Sequence, residues 1–396
     1  MKQHRGALSR RHFLFALPLT ATLTATRTAA IPAVAQEASP TPTLDDDLNV
    51  STSGWQTDFS KHSVNLSEIR SGGPPRDGIP PIDDPKYVAI ADADGWLEAA
   101  EPVVAVVRND QARAYPLQIM VWHEIVNDVL GGEPTLVTFC PLCNTAIAFD
   151  RRLEPGGAIY DFGTTGNLRF SDLVMWDRQT ESWWQQLTGE AIVGELTGQR
   201  LPFHAAQLLG WSAFKTAYPT GDVLSRETGF SRPYGENPYV GYDDVNSSPF
   251  LMDQPTDGRY PPMERTVGVE LGGEAVAYPY SALEASRVAN DHVAGQPVVV
   301  FLAPGARSAL DQSAIAESRD VGQVGVFDRR LDGQILTFAA TGDAFADQET
   351  QTTWDITGRA LAGPLADRQL TPLPHVVSFW FAWAAGYPET RVWAAE

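Results

Sequence analysis

The chain has 396 residues and a formal charge of −20, with 29 Lys and Arg against 49 Asp and Glu; 43% of it is hydrophobic and 20% charged. That is globular composition, long enough for two folded units, and so acidic a surface disfavours nucleic-acid and peripheral membrane binding. The only cysteines, Cys140 and Cys143, exclude a disulfide-stapled scaffold and a four-cysteine zinc site or cluster.

Residues 1–35 carry five basic residues and no acid, leaving 24 basic against 49 acidic residues, a charge near −25, in the rest. Ser9-Arg10-Arg11-His12-Phe13-Leu14 is a twin-arginine pattern, followed by an apolar run to residue 23 and by Ala33-Val34-Ala35 as a cleavage site. The run is short for a membrane span, so it reads as a signal peptide. The expected partner during export is the twin-arginine translocase, the expected location extracytoplasmic, and no membrane anchor remains after cleavage. An ordinary secretory signal with two coincidental arginines is the alternative. Residues 36–85 read as a linker and N-terminal extension, rich in Ser, Thr, Pro and Asp at first.

From residue 86 onward the sequence repeats itself at an offset of 163. Ala112-Arg113-Ala114-Tyr115-Pro116 returns as Ala275-Val276-Ala277-Tyr278-Pro279, and Asn127-Asp128 as Asn290-Asp291. After an insertion, Phe149-Asp150-Arg151-Arg152-Leu153 returns as Phe327-Asp328-Arg329-Arg330-Leu331. The reading is a first repeat over 86–227, a connector over 228–265 and a second repeat over 266–396. In the first repeat, 103–107 and 112–115 predict a hairpin turning at Asn109-Asp110. Residues 117–130 have helical spacing, 136–139 and 146–149 predict strands, and 205–217 a terminal helix. The fold class is α+β, mainly antiparallel β, as an internal duplication whose second copy is degenerate.

The degeneracy points to a site. At the 163 offset Cys140 becomes Ala303, Cys143 becomes Ala306, His123 becomes Ser286 and Glu124 becomes Arg287. Thiols and imidazole vanish together, as members of one site would. His123-Glu124-Ile125-Val126-Asn127-Asp128, Val137-Thr138-Phe139-Cys140-Pro141-Leu142-Cys143-Asn144-Thr145-Ala146 and Ser171-Asp172-Leu173-Val174-Met175-Trp176-Asp177-Arg178 together resemble the family called domain of unknown function 3179. The resemblance covers most of 86–396. It implies an extracytoplasmic protein with a site around the cysteines; it does not imply an activity.

Between two strands, a C-x-x-C turn can present two thiolates to a metal; the helix that activates a thioredoxin-like pair is missing here. Completing the site falls to His123 and then Met175, a soft set suited to copper; Asp172 or Asp177 in place of Met175 suits zinc. The competing readings are an extracytoplasmic thiol–disulfide oxidoreductase and a non-enzymatic ligand-binding module with inert cysteines. Glu124 is a candidate general base or simply a solvated helix acid. Arg169, Asp172, Asp177 and Arg178 either hold a polar substrate or satisfy one another as ion pairs. Trp183, Trp184, Tyr234, Tyr239 and Tyr242 are an aromatic platform or, more simply, packing. His204, His292 and His375 read as surface or capping residues. Neither a phosphate-binding glycine loop nor a G-x-S-x-G elbow occurs.

Overall fold

The computed structural model describes residues 47–394, so the twin-arginine segment and the start of the linker lie outside the described residues. Strand far outweighs helix, and nearly all pairing is antiparallel. The β-branched run Pro102–Arg108 (β1) folds back on Gln111–Pro116 (β2). Its turn residues Asn109 and Asp110 have φ of 46° and 63°, the doubly left-handed two-residue turn that Asn and Asp tolerate best.

The predicted helix over 117–130 is only half a helix. Leu117–His123 (α1) is helical, Glu124 turns the chain at φ 59°, and Ile125–Leu130 (β3) is a strand. Ile125, Val126 and Val129 fit a pleated surface as well as a helix face, and pairing with Glu133–Cys140 (β4) decides between them. Thr145–Asp150 (β5) extends this sheet beyond β4. A second sheet contains Phe162–Arg169 (β6), Asp172–Asp177 (β7), Trp183–Gln185 (β8) and Glu190–Val193 (β9), with residues 69–71 on its outer edge. The predicted terminal helix over 205–217 also divides. Ala206–Gly210 (β10) pairs with β1, and only Trp211–Ala217 (α2) is helical. Asp222–Leu224 (β11) then joins β2 in parallel.

After the connector come Arg265–Leu271 (β12), Glu274–Pro279 (β13), Tyr280–Leu283 (α3), Val288–Val293 (β14), Gln296–Ala303 (β15) and Gln323–Asp328 (β16). A four-stranded sheet follows: Phe338–Thr341 (β17), Ala344–Asp347 (β18), Thr353–Trp354 (β19) and Ala360–Ala362 (β20). Val376–Phe379 (β21), Trp380–Gly386 (α4) and Arg391–Val392 (β22) complete the chain. The orders β10-β1-β2-β11 and β21-β12-β13-β22 correspond strand for strand, each with one parallel pair at the same place.

Side-chain roles correspond too. Asn127 exchanges two hydrogen bonds with the backbone of Phe162, at 2.8 and 2.9 Å; Asn290 does the same with Phe338 at the same distances. The largest apolar core draws on both halves, from Tyr115 and Trp184 to Val267 and Trp380, and the two cysteines lie in it. Among the described residues no helix is long and apolar enough to cross a membrane.

Candidate metal centre and the adjoining cavity

Cys140 ends β4, residues 141–144 turn, and Thr145 opposite Cys140 opens β5. Asn144, at φ 54°, closes the turn by donating its N–H to the Pro141 carbonyl at 3.2 Å. The hairpin therefore carries both sulfurs to one place, 2.6 Å apart, as free and fully buried thiols. The second half closes over the turn, with the Phe379 N–H donating to the Cys143 carbonyl at 2.9 Å.

The β6–β7 hairpin faces the thiols. Phe170 and Ser171 form its two-residue turn at φ 53° and 63°, a conformation usually left to Asn and Gly. The turn places the Ser171 carbonyl 3.9 and 4.0 Å from the two sulfurs and Asp172 Oδ1 3.0 Å from the Cys143 sulfur. Asp172 Oδ2 accepts from the Leu187 N–H at 3.0 Å and from the Gln185 amide. One ligand atom each from Cys140, Cys143 and Asp172 lies within 4.8 Å of the other two.

The charges are one-sided. Burial pushes both thiols and the Asp172 carboxyl above their ordinary values, and the acids beside them push the thiols further. Glu124, 6% exposed, is driven up to about 8, by burial first and then by the nearby Asp172. No Lys or Arg among the described residues pairs with Asp172 or Glu124.

Glu124 borders a cavity of ≈ 310 Å³ whose wall includes Leu142, Leu168, Tyr239, Tyr242 and Phe250. The three rings come from the connector, and the aromatic residues singled out from the sequence divide by role. Tyr239 and Tyr242 line the cavity, whereas Trp183 and Trp184 are fully buried packing.

His123 is placed elsewhere, which corrects the three-residue set expected from the sequence. As the last residue of the shortened α1, it sets its ring between the Pro80 carbonyl, 2.7 Å from Nδ1, and the Tyr234 hydroxyl, 2.6 Å from Nε2. A carbonyl only accepts, so Nδ1 carries the proton and Nε2 accepts from Tyr234; both nitrogens are committed. Burial lowers the imidazole's pKa and keeps it neutral. Met175 sits three residues from Asp172 along β7, on the opposite face by strand alternation, within the main core.

The charged candidates other than Asp172, on β6, on β7 and just after it, are occupied. Arg169 pairs with Glu68 at 2.7 Å; with Asp172 it borders a separate cavity of ≈ 180 Å³. Arg178 pairs with Asp83 at 3.0 Å. Asp177 accepts from the Thr180 N–H at 2.7 Å and the Trp184 indole at 2.8 Å. Asp347 repeats this arrangement with Thr350 at 2.6 Å and Trp354 at 2.9 Å, the bonds of a turn-building residue. Sequence reading missed a polar brace behind the thiols, in which Thr145 donates to Gln186 Oε1 at 2.7 Å and Gln186 donates to Thr138 at 2.8 Å. Their spacing carries no motif; only the fold brings them together.

The fold and the thiol-bearing hairpin define an antiparallel-sheet protein with one acidic thiol centre. The chain matches the family described as protein of unknown function (DUF3179) over residues 76–390, and it belongs to that family. Comparison with curated proteins and with solved structures gave no match.

Proposed function

We propose that the protein binds a transition-metal ion through Cys140, Cys143 and Asp172, and that the ion is zinc rather than copper. The observation behind this reading is three buried ligand atoms within 4.8 Å, with the uncompensated acid Glu124 nearby. Buried thiols and carboxyls without a basic partner either stay protonated or take up a cation. Replacing the expected imidazole and thioether by a carboxylate moves the ligand set from copper towards zinc. Two thiolates on one tetrahedral zinc stand about 3.8 Å apart, given Zn–S bonds near 2.3 Å. From 2.6 Å the sulfurs separate by roughly 1 Å on loading. Three protein ligands leave a fourth position open for water or substrate, as in catalytic sites.

The corresponding strand orders and the paired roles of Asn127 and Asn290 support an internal duplication in which only the first copy keeps the site. Residues 1–35 act as a twin-arginine export signal, so the ion is held outside the cytoplasm. Metal analysis of untagged protein is expected to give one zinc per chain, lost in Cys140→Ser/Cys143→Ser. Folded protein that takes up neither Zn(II) nor Cu(I) ends the metal reading. Replacing Arg10 and Arg11 by Lys is expected to retain the precursor in the cytoplasm; unchanged export would exclude the twin-arginine route.

The 2.6 Å sulfur separation favours one other reading, a thiol–disulfide pair. The raised thiols oppose it, because exchange needs an accessible thiolate. Titration against dithiothreitol separates the two: reversible oxidation near the potentials of exchange enzymes favours the redox pair.

A further inference from the structure

The cavity beside the thiols has a composition of its own. Its volume of ≈ 310 Å³ holds roughly ten non-hydrogen atoms at about 30 Å³ each. Among the described residues no Lys, Arg or His lines it, and Glu124 is the one carboxylic acid in its wall. Glu124 is more than nine-tenths buried, and its carboxyl accepts no hydrogen bond from the described residues. The Tyr242 hydroxyl accepts from the Phe250 N–H at 3.1 Å, which ties the Tyr242 ring to the Phe250 backbone. Phe250 is 45% exposed although it borders the cavity, which puts an aromatic face at its mouth.

An unpaired acid at the end of an apolar, aromatic-walled chamber is complementary to one kind of small molecule. An anion meets the acid Glu124; a neutral apolar body leaves the carboxyl unsatisfied. A primary ammonium group satisfies the carboxylate with charge-assisted hydrogen bonds while its skeleton lies against rings that also attract cations. We infer that this cavity is a binding site for a small primary ammonium ion carried on an aryl or short alkyl skeleton, with its nitrogen on Glu124 and its carbons against Tyr239, Tyr242 and Phe250. The site adjoins the proposed metal centre but does not require a metal.

The test is calorimetric titration with 2-phenylethylammonium, with 2-phenylethanol and phenylacetate as neutral and anionic controls. It is run near pH ~9, above the Glu124 value of about 8 and below the ~10.4 of an alkylammonium. Zinc-loaded and chelator-treated protein are both titrated. Saturable binding of the ammonium ion is expected in both, with each control weaker by at least roughly tenfold. Glu124→Gln is expected to weaken ammonium binding by a similar factor and to erase the preference over 2-phenylethanol. Tyr239→Ala, at a half-buried connector position, gives a second readout should Glu124→Gln not fold; it weakens all three ligands. Equal affinity for 2-phenylethanol and the ammonium ion, unchanged binding in Glu124→Gln, or no saturable binding overturns the inference. Ammonium binding by protein that takes up no zinc sinks only the metal reading; zinc uptake without ammonium binding sinks only this one.

Discussion

Glu124→Gln should make the metal-free protein more stable at pH 8 while leaving it unchanged near pH ~4. The carboxyl is raised from an ordinary value of 4.5 to about 8, by burial first and then by Asp172. Below pH 4.5 it is protonated in both folded and unfolded chains and costs nothing. As pH rises from 4.5 to 8 the unfolded chain loses the proton and the folded chain keeps it, so stability falls at up to about 1.4 kcal/mol per pH unit. Over that window the loss is roughly 4 to 5 kcal/mol, of the order of a domain's whole stability. Gln has the shape of the protonated acid and does not titrate, so the variant escapes this loss. Asp172, raised by its own burial, adds a slope of the same sign to both proteins, and the difference between the curves reports Glu124. Urea denaturation of both chelator-treated proteins at several pH values measures it. Parallel curves would refute the argument; the buried His204 and His375, both lowered to about 4, add an opposite slope to both proteins and cancel in the difference.

Asp177→Asn and Asp347→Asn should destabilise by similar amounts, roughly 2 to 4 kcal/mol each, because each sets an amide against an indole N–H and a backbone N–H. Urea denaturation of the two variants is the check, and zinc content should not change in either. Saturating zinc at about 100 times its dissociation constant should stabilise the wild-type protein by about 2.7 kcal/mol and Cys140→Ser/Cys143→Ser by none. Thermal denaturation with and without zinc measures this. Gly210→Ala should cost about 3 kcal/mol or more, since its Cβ would sit 1.9 Å from the Gly305 carbonyl oxygen, where backbone must give way. Loss of cooperativity on melting would show that this contact ties the halves together.

Strand content, the Asn109-Asp110 hairpin and the thiol turn between strands were legible because each rests on local chemistry: β-branched runs, turn residues and short spacing. Both long helices were overread for one reason. Residues 125–130 and 206–210 combine apolar spacing with β-branched or leucine-rich composition, and the choice of strand comes from pairing with β4 and β1, which no local window contains. The ligand set went the same way. His123 and the cysteines do vanish together in the second half, but the shortened α1 turns the imidazole towards Tyr234, and a turn 30 residues beyond the thiols sets Asp172 beside them. Joint loss marked the right half of the molecule; it did not mark which residues touch.

The helix-to-strand corner sharpens that distinction. Glu124 at φ 59° donates its N–H to Met120 at 2.7 Å and accepts from the Phe139 N–H at 2.8 Å. Arg287 at φ 55° does the same with Leu283 at 2.6 Å and Leu302 at 2.9 Å. A left-handed residue other than glycine costs of order 1 kcal/mol, and both halves bear that cost, so the strain belongs to the fold and by itself says nothing about a site. What differs is the side chain hung on the shared corner: a buried carboxyl near the thiols in one half, and in the other an arginine that lines, with Ala303, a larger cavity of ≈ 520 Å³. On the proposed duplication the second half serves as an internal control. Features common to both explain how the chain folds, and the chemistry proposed for the first rests on Glu124, Cys140 and Cys143, positions where the second half has Arg287, Ala303 and Ala306, together with Asp172.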